Sequence, residues 1–342
     1  MEVNLGNLPF DLDFHPWSYL VATGLVSGDL QLYRFGGDNS QPQRLFEIRA
    51  HKDDDSCRAV RFINGGQAIM TGSSDKSILV SNVETGAEIA RLTDAHGAAV
   101  NRLVGLDETL IASGDDNGSI KVWDIRTNTC CYSYHTHEDY ISDISFALDS
   151  KELLATSGDG TLSSYSLKKR RVIVKSEFSE DEPLSLVIMK NGRKVICGTQ
   201  NGVLLLYSWG QFTDHSDRFT GLENKSIDKL LKLDENRLIT GSENGLISLI
   251  GILPNRIIRP IAEHSDYPVE GLAFSYDRKY LGSISHDQML KLWSMDDLLE
   301  GLGHDAPDTN EMDADTLEGP NSQMGNKGEV SNISSHSFFA GL

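Results

Sequence analysis

Apolar and polar residues alternate in short runs along most of the chain, and the runs break at Gly, Asn or Asp. Residues 10–14 read Phe-Asp-Leu-Asp-Phe, and residues 118–123 read Gly-Ser-Ile-Lys-Val-Trp. A period of two gives a strand two different faces. Asn-Gly or Asp-Gly steps at 117–118, 159–160, 201–202 and 244–245 supply the positive φ that a two-residue hairpin turn requires. Many short strands joined by tight turns are therefore predicted.

The turn-and-strand piece repeats. Its second residue falls at positions 28, 76, 118, 160, 202, 245 and 288, with steps of 48, 42, 42, 42, 43 and 43. That period matches the roughly 40–45 residues of a four-stranded propeller blade. One blade cannot bury both faces of its sheet, whereas a ring of blades buries them and leaves only short edges. The prediction is an all-β, seven-bladed β-propeller over residues 1–296. No strand-like run follows Trp293, so Val3-Asn4-Leu5 is expected to complete the last blade.

A His stands about 20 residues ahead of four of the turns, at His51, His96, His137 and His264. The third unit carries His96, Ser113 and Trp123-Asp124. The seventh carries His264, Ser283, Asp287 and Trp293. The second has His51, Thr71 and Asp75 but ends in Ser81; the fourth has His137, Thr156, Asp159 and Tyr165. Units one, five and six lack the His. These residues resemble the WD-repeat family, whose units begin near Gly-His and end in Trp-Asp. The resemblance implies a buried polar network in each complete blade. A His beside Ser and Asp can also signal nucleophilic catalysis, but recurrence at the repeat period marks architecture.

Charge narrows the functional classes. The chain has 31 basic and 50 acidic residues, a formal net charge of −19. A nonspecific nucleic-acid coat needs clustered Lys and Arg, so direct nucleic-acid binding is not expected. Residues 296–342 hold ten acidic residues and one basic residue, Lys327. Such a stretch buries too little apolar surface to offset its ordering entropy, so 297–342 are expected to form a disordered acidic tail. The first basic residue is Arg34 and no apolar run approaches 18 residues, so neither a signal peptide nor a membrane span is expected. Cys57, Cys130, Cys131 and Cys197 form no Cys-x-x-Cys pair, which disfavours zinc and a disulfide framework. A nuclear or cytoplasmic compartment fits. Phosphate loops, a nucleophile elbow and His-Glu-x-x-His are absent. No enzyme activity, cofactor or metal is expected.

Two local motifs point to partners. Residues Ile111 to Arg126 read IASGDDNGSIKVWDIR. They resemble the box by which WD-repeat proteins dock on the damage-specific DNA-binding protein 1 adaptor of cullin-4 ubiquitin ligases. Trp123, Asp124 and Arg126 match its most specific end, while Asn117 stands where an acidic residue is common. By this reading Trp123 packs between blades, Asp124 ties the next turn, and Arg126 meets the partner. Bracing of the blade alone is the competing reading. The second motif is Lys168-Lys169-Arg170-Arg171. It reads either as a solvated turn protecting an outer strand or as a nuclear-import or local RNA contact.

The first unit is less generic. Leu8-Pro9-Phe10-Asp11-Leu12-Asp13-Phe14-His15-Pro16 and Leu20 to Gly28, with Phe274 to Asp277 and Ser285 to Asp287, resemble the WD repeat-containing protein 55 family, and a plant member most. That resemblance implies a nuclear or nucleolar scaffold linked to ribosomal RNA production, growth and development. The tail lacks a basic nucleolar extension. The adaptor box adds a substrate-receptor role, with an unidentified protein substrate on the opposite face near Arg58, Arg102, Asp139 and Asp266. The alternative is a ribosome-assembly scaffold that binds basic preribosomal proteins without ubiquitin. No membrane partner is expected.

Overall fold

A computed structural model describes residues 1–36, 41–52, 54–222 and 225–301. They form seven four-stranded antiparallel sheets. The first blade contains Pro9–Phe14, Leu20–Leu25, Asp29–Arg34 and Gln43–Arg49, from the inside outward. The next six inner strands are Cys57–Ile63, Val100–Gly105, Ile141–Ala147, Pro183–Met189, Ile227–Lys232 and Val269–Phe274. Each packs against the inner strand of the next blade, and Val269–Phe274 returns to Pro9–Phe14. The seven-bladed propeller predicted from the period is therefore the fold.

The N-terminus closes the ring. Glu2–Asn4 pairs antiparallel with Met289–Ser294, Val3 opposite Leu290. The Met1 ammonium donates to the Leu292 carbonyl at 2.8 Å, and the Leu292 amide returns a bond to the Met1 carbonyl. Leu5 follows as a buried residue whose amide donates to the Gln288 carbonyl.

The core lies between blades. Ala22, Leu30 and Leu32 of blade one meet Val60, Ile69 and Leu79 of blade two. Ile196, Leu204 and Leu206 of blade five meet Leu238 and Ile250 of blade six. Each fully buried Leu or Ile contributes roughly 1.5–3 kcal/mol. Carboxylates stitch the inner strands together: Asp11 accepts the Val60 amide at 2.9 Å, Asp13 the Phe62 amide at 2.7 Å, and Asp143 the Leu186 amide at 2.9 Å. Gly245 shows why the turns need glycine. Its φ is +81°, and a Cβ there would lie 1.8 Å from the His264 carbonyl oxygen.

The ordered chain runs past residue 296. Met295–Leu299 form a short helix capped by the Ser294 hydroxyl, with Met295 and Leu298 buried. Arg259 Nη2 donates to the Leu298 carbonyl at 2.7 Å. The acidic tail beyond residue 301 lies outside the described residues.

Candidate functional site

The recurring His residues are buried within networks. His96 Nδ1 lies 2.8 Å from Asp115, and its Nε2 lies 2.6 Å from Ser113 Oγ, which also accepts Trp123 Nε1. Blade seven repeats this with His264, Asp287, Ser283 and Trp293. Blade two keeps His51 against Asp75 and Thr71, but Ser81 leaves a buried hydroxyl with no partner among the described residues. Blade four departs from expectation. His137 Nε2 meets Ser163 at 2.6 Å, and Thr156 instead accepts a bond from Ser142. Tyr165 replaces Trp there, and its hydroxyl reaches Ser163, drawing the contact onto the third strand. Blades without the His use other pairs, such as Tyr33 with Gln31 and Arg218 with Asp181. Catalysis is not what these groups are arranged for, because each His is saturated by its own blade.

A second regularity is a β-bulge. In every blade the register between the first two strands slips by one residue near the start of the inner strand. The extra residues are Phe10, Arg58, Asn101, Ser142, Leu184, Asp228 and Glu270. A bulge re-aims side chains, and here it rings the channel mouth on the face where inner strands begin. A cavity of about 280 Å³ opens there, lined by Phe10, Arg58, Asn101, Arg102, Asp116, Tyr140, Ile141 and Glu270.

Of the expected partner-face residues, the cavity unites Arg58 and Arg102. Asp139 and Asp266 stand on exposed loops and do not line it. Arg58 is neutralised: Nη1 contacts Asp116 at 3.0 Å and Asn101 at 2.7 Å, and Nε donates to Ser56. Asn101, Asp116, Tyr140 and Glu270 escaped the sequence reading. Aligning the units at the second residue of each inner strand would have revealed Asn101 and Glu270, because the bulge recurs with the repeat.

Charge at the mouth is unevenly compensated. His286 Nε2 lies 2.8 Å from Glu270. Burial alone would raise the Glu270 carboxyl, but the His286 bond and the Lys229 charge hold it below its ordinary value. Burial raises Asp228 to about 6, and its Oδ2 is buried with no hydrogen-bond partner among the described residues. Asp13, deeper in the channel, is also raised to about 6 by burial, which Arg61 only partly opposes.

The adaptor-box residues lie on the other face of blade three: Trp123 and Asp124 end its third strand, Ser119–Asp124, and Arg126 stands in the turn before the fourth, Thr129–His135. Trp123 is buried and holds the strand end from which the next residues project. Asp124 accepts the Arg126 amide at 3.0 Å, Nε at 3.1 Å and Nη2 at 2.7 Å. The Arg126 hydrogen bonds hold the Asp124 carboxyl down to about 2. The Arg126 side chain remains 67% exposed. Lys168, Lys169, Arg170 and Arg171 form an exposed turn and strand start in blade four. The Arg170 guanidinium lies 5.1 Å from the Tyr132 ring centre. All four cysteines are free thiols, with Cys57 and Cys197 buried. Among the described residues, no three His, Cys, Asp or Glu converge as a metal site.

Seven four-stranded blades with repeated His–Asp and Trp–Ser contacts define a WD-repeat β-propeller. The family model described as WDR55 matches residues 1–298, and the chain belongs to the WD repeat-containing protein 55 family. It is 60% identical to WD repeat-containing protein 55 of Arabidopsis thaliana over 301 residues, covering 88% of this chain and 84% of that protein. The Homo sapiens protein of that name is 39% identical over 284 residues, 83% of this chain and 73% of its own. The Dictyostelium discoideum homolog is 36% identical over 294 residues, 86% and 70% of the two chains. Family and fold are consistent with a non-catalytic scaffold.

Proposed function

We propose that the chain is an interaction scaffold that docks on the damage-specific DNA-binding protein 1 adaptor of a cullin-4 ubiquitin ligase and presents a protein substrate on its opposite face. The observation that carries this reading is Arg126. Its guanidinium is exposed, yet two bonds to Asp124 fix its orientation, so little side-chain entropy remains to be lost on docking. Its free N–H groups suit a partner's carboxylate or carbonyls. Trp123 and Asp124 act by positioning it. The exposed Lys168 to Arg171 turn supports nuclear import of the same scaffold.

The test is adaptor binding by the full chain, wild type beside Arg126→Ala, with folding checked by circular dichroism. Loss of binding in a folded variant is the expected result. Equal binding of both would overturn the assignment. A second reading, a ribosome-assembly scaffold for basic preribosomal proteins, draws on the net charge of −19. Salt-sensitive binding to a basic ribosomal protein, with an unaltered Arg126→Ala response, would favour it.

A further inference from the structure

We infer that Arg102 is the anchor of a binding site at the channel mouth for a single carboxylate side chain, Asp or Glu, of a partner protein. This deepens the receptor reading by naming what the substrate face recognises.

The two cavity arginines differ. Arg58 already faces Asp116. Arg102 donates through Nε to the Ser142 carbonyl at 2.6 Å and through Nη1 to the Asn101 carbonyl at 3.0 Å. Among the described residues no carboxylate lies within ion-pair distance of it, although its charge helps to hold the Glu270 carboxyl down, and Nη2 makes no hydrogen bond. The two carbonyls lock the guanidinium plane and leave N–H groups of Nη1 and Nη2 as an open fork. That fork matches a carboxylate bidentately, and the match is preorganised.

The rest of the lining selects among anions. Glu270 and Asp116 share the cavity and are only partly offset by His286 and Arg58, so a dianionic phosphate meets about twice the repulsion that a single carboxylate meets. Phe10 and Ile141 offer apolar contact for the stem of an acidic side chain. The volume of about 280 Å³ falls just below the roughly 300–1,000 Å³ of small-molecule sites, which suits one or two side chains. The net charge of −19 disfavours a polyacidic segment, so the carboxylate belongs to an otherwise neutral or basic stretch.

The experiment uses the full chain and a displayed random heptapeptide library. Wild type is expected to enrich peptides carrying one Asp or Glu, and replacing that residue by Gln should weaken a selected peptide about tenfold or more. Arg102→Gln should lose the enrichment, and Glu270→Gln should tighten binding about two- to fivefold by removing a like charge. Absence of acidic enrichment, equal binding of the Gln peptide, or tighter binding of a phosphoserine peptide would each overturn the inference. If Arg102→Gln does not fold, Glu270→Gln decides: tightening supports the site, and unchanged or weaker binding overturns it. Adaptor binding is measured on the same proteins, so failure here is distinguishable from failure of the Arg126 reading.

Discussion

Trp123 Nε1 donates to Ser113 Oγ at 2.8 Å, and this contact ends a buried relay that begins at Asp115. The Asp115 carboxylate can only accept, so neutral His96 gives it Nδ1–H; Nε2 then accepts the Ser113 proton, and a Ser113 lone pair takes Trp123 Nε1–H. Every group in the series is buried. Ser113→Ala removes the shared hydroxyl and leaves Trp123 Nε1 and His96 Nε2 unpaired. A loss of about 1–3 kcal/mol is expected, read as a lower urea midpoint with unchanged slope.

The same networks set an acid limit. Burial lowers His96 and His264 below their ordinary value, although Asp115 and Asp287 oppose it. The unfolded chain therefore takes up protons first. Stability from these two groups is present above about pH 6.5 and is lost as pH falls below it. Thermal melts from pH 7.5 to 5 sum this loss with the opposite contributions of Asp13, Asp228 and His286, so the two His groups are read by difference from a variant. His264→Gln should lower the Tm at pH 7.5, and its gap to wild type should narrow as pH falls to 5.

Asp228 works in the opposite direction. Its folded value of about 6 lies above the unfolded one, so the folded state holds the extra proton between about pH 4 and 6. Its contribution is fully present below about pH 4 and is lost as pH rises through 6. Asp228→Asn removes a poorly solvated charge at neutral pH. It should stabilise the propeller by about 1–3 kcal/mol at pH 7.5 and by much less at pH 4.5. Equal Tm changes at both pH values would refute this account of the channel mouth.

The fold was legible because it is written seven times. Period, turn glycines and alternation each repeat, so an irregular unit such as Asn201 to Tyr207 is carried by its neighbours. The His networks were legible in blades three and seven, where the third strand ends in Trp. They were misread in blade four, because Tyr165 reaches a different hydroxyl from the one Trp reaches. The channel mouth was only half legible. Arg58 and Arg102 stand out as charges, but the cavity they share comes from bulges, which add a residue without changing composition. Side-chain pairing is also invisible in sequence: nothing in the residue order says that Asp116 satisfies Arg58 while Arg102, among the described residues, has no carboxylate at ion-pair distance.

Ring closure makes the first five residues a structural element. Removing Met1 to Leu5 strips the outer strand from the last blade and opens the edge of Met289–Ser294. Leu5 is buried among Leu12, Leu290 and Leu292, and Val3 packs against the same cluster. Burial of Leu5 alone stabilises by roughly 1.5–3 kcal/mol. Leu5→Ala should cost about 2–4 kcal/mol, since the cavity is only partly refilled. The deletion should cost more, because it also removes the pairing of Glu2, Val3 and Asn4 and exposes Leu290. At about 2–4 °C per kcal/mol for a large domain, a Tm at least about 6 °C lower is expected by calorimetry. Closure is non-local, joining residues as far as 291 apart in sequence, so the loss should fall on cooperativity as well as on Tm. A deletion that melts like Leu5→Ala would mean that Leu5 packing, and not the paired strand, holds the ring shut.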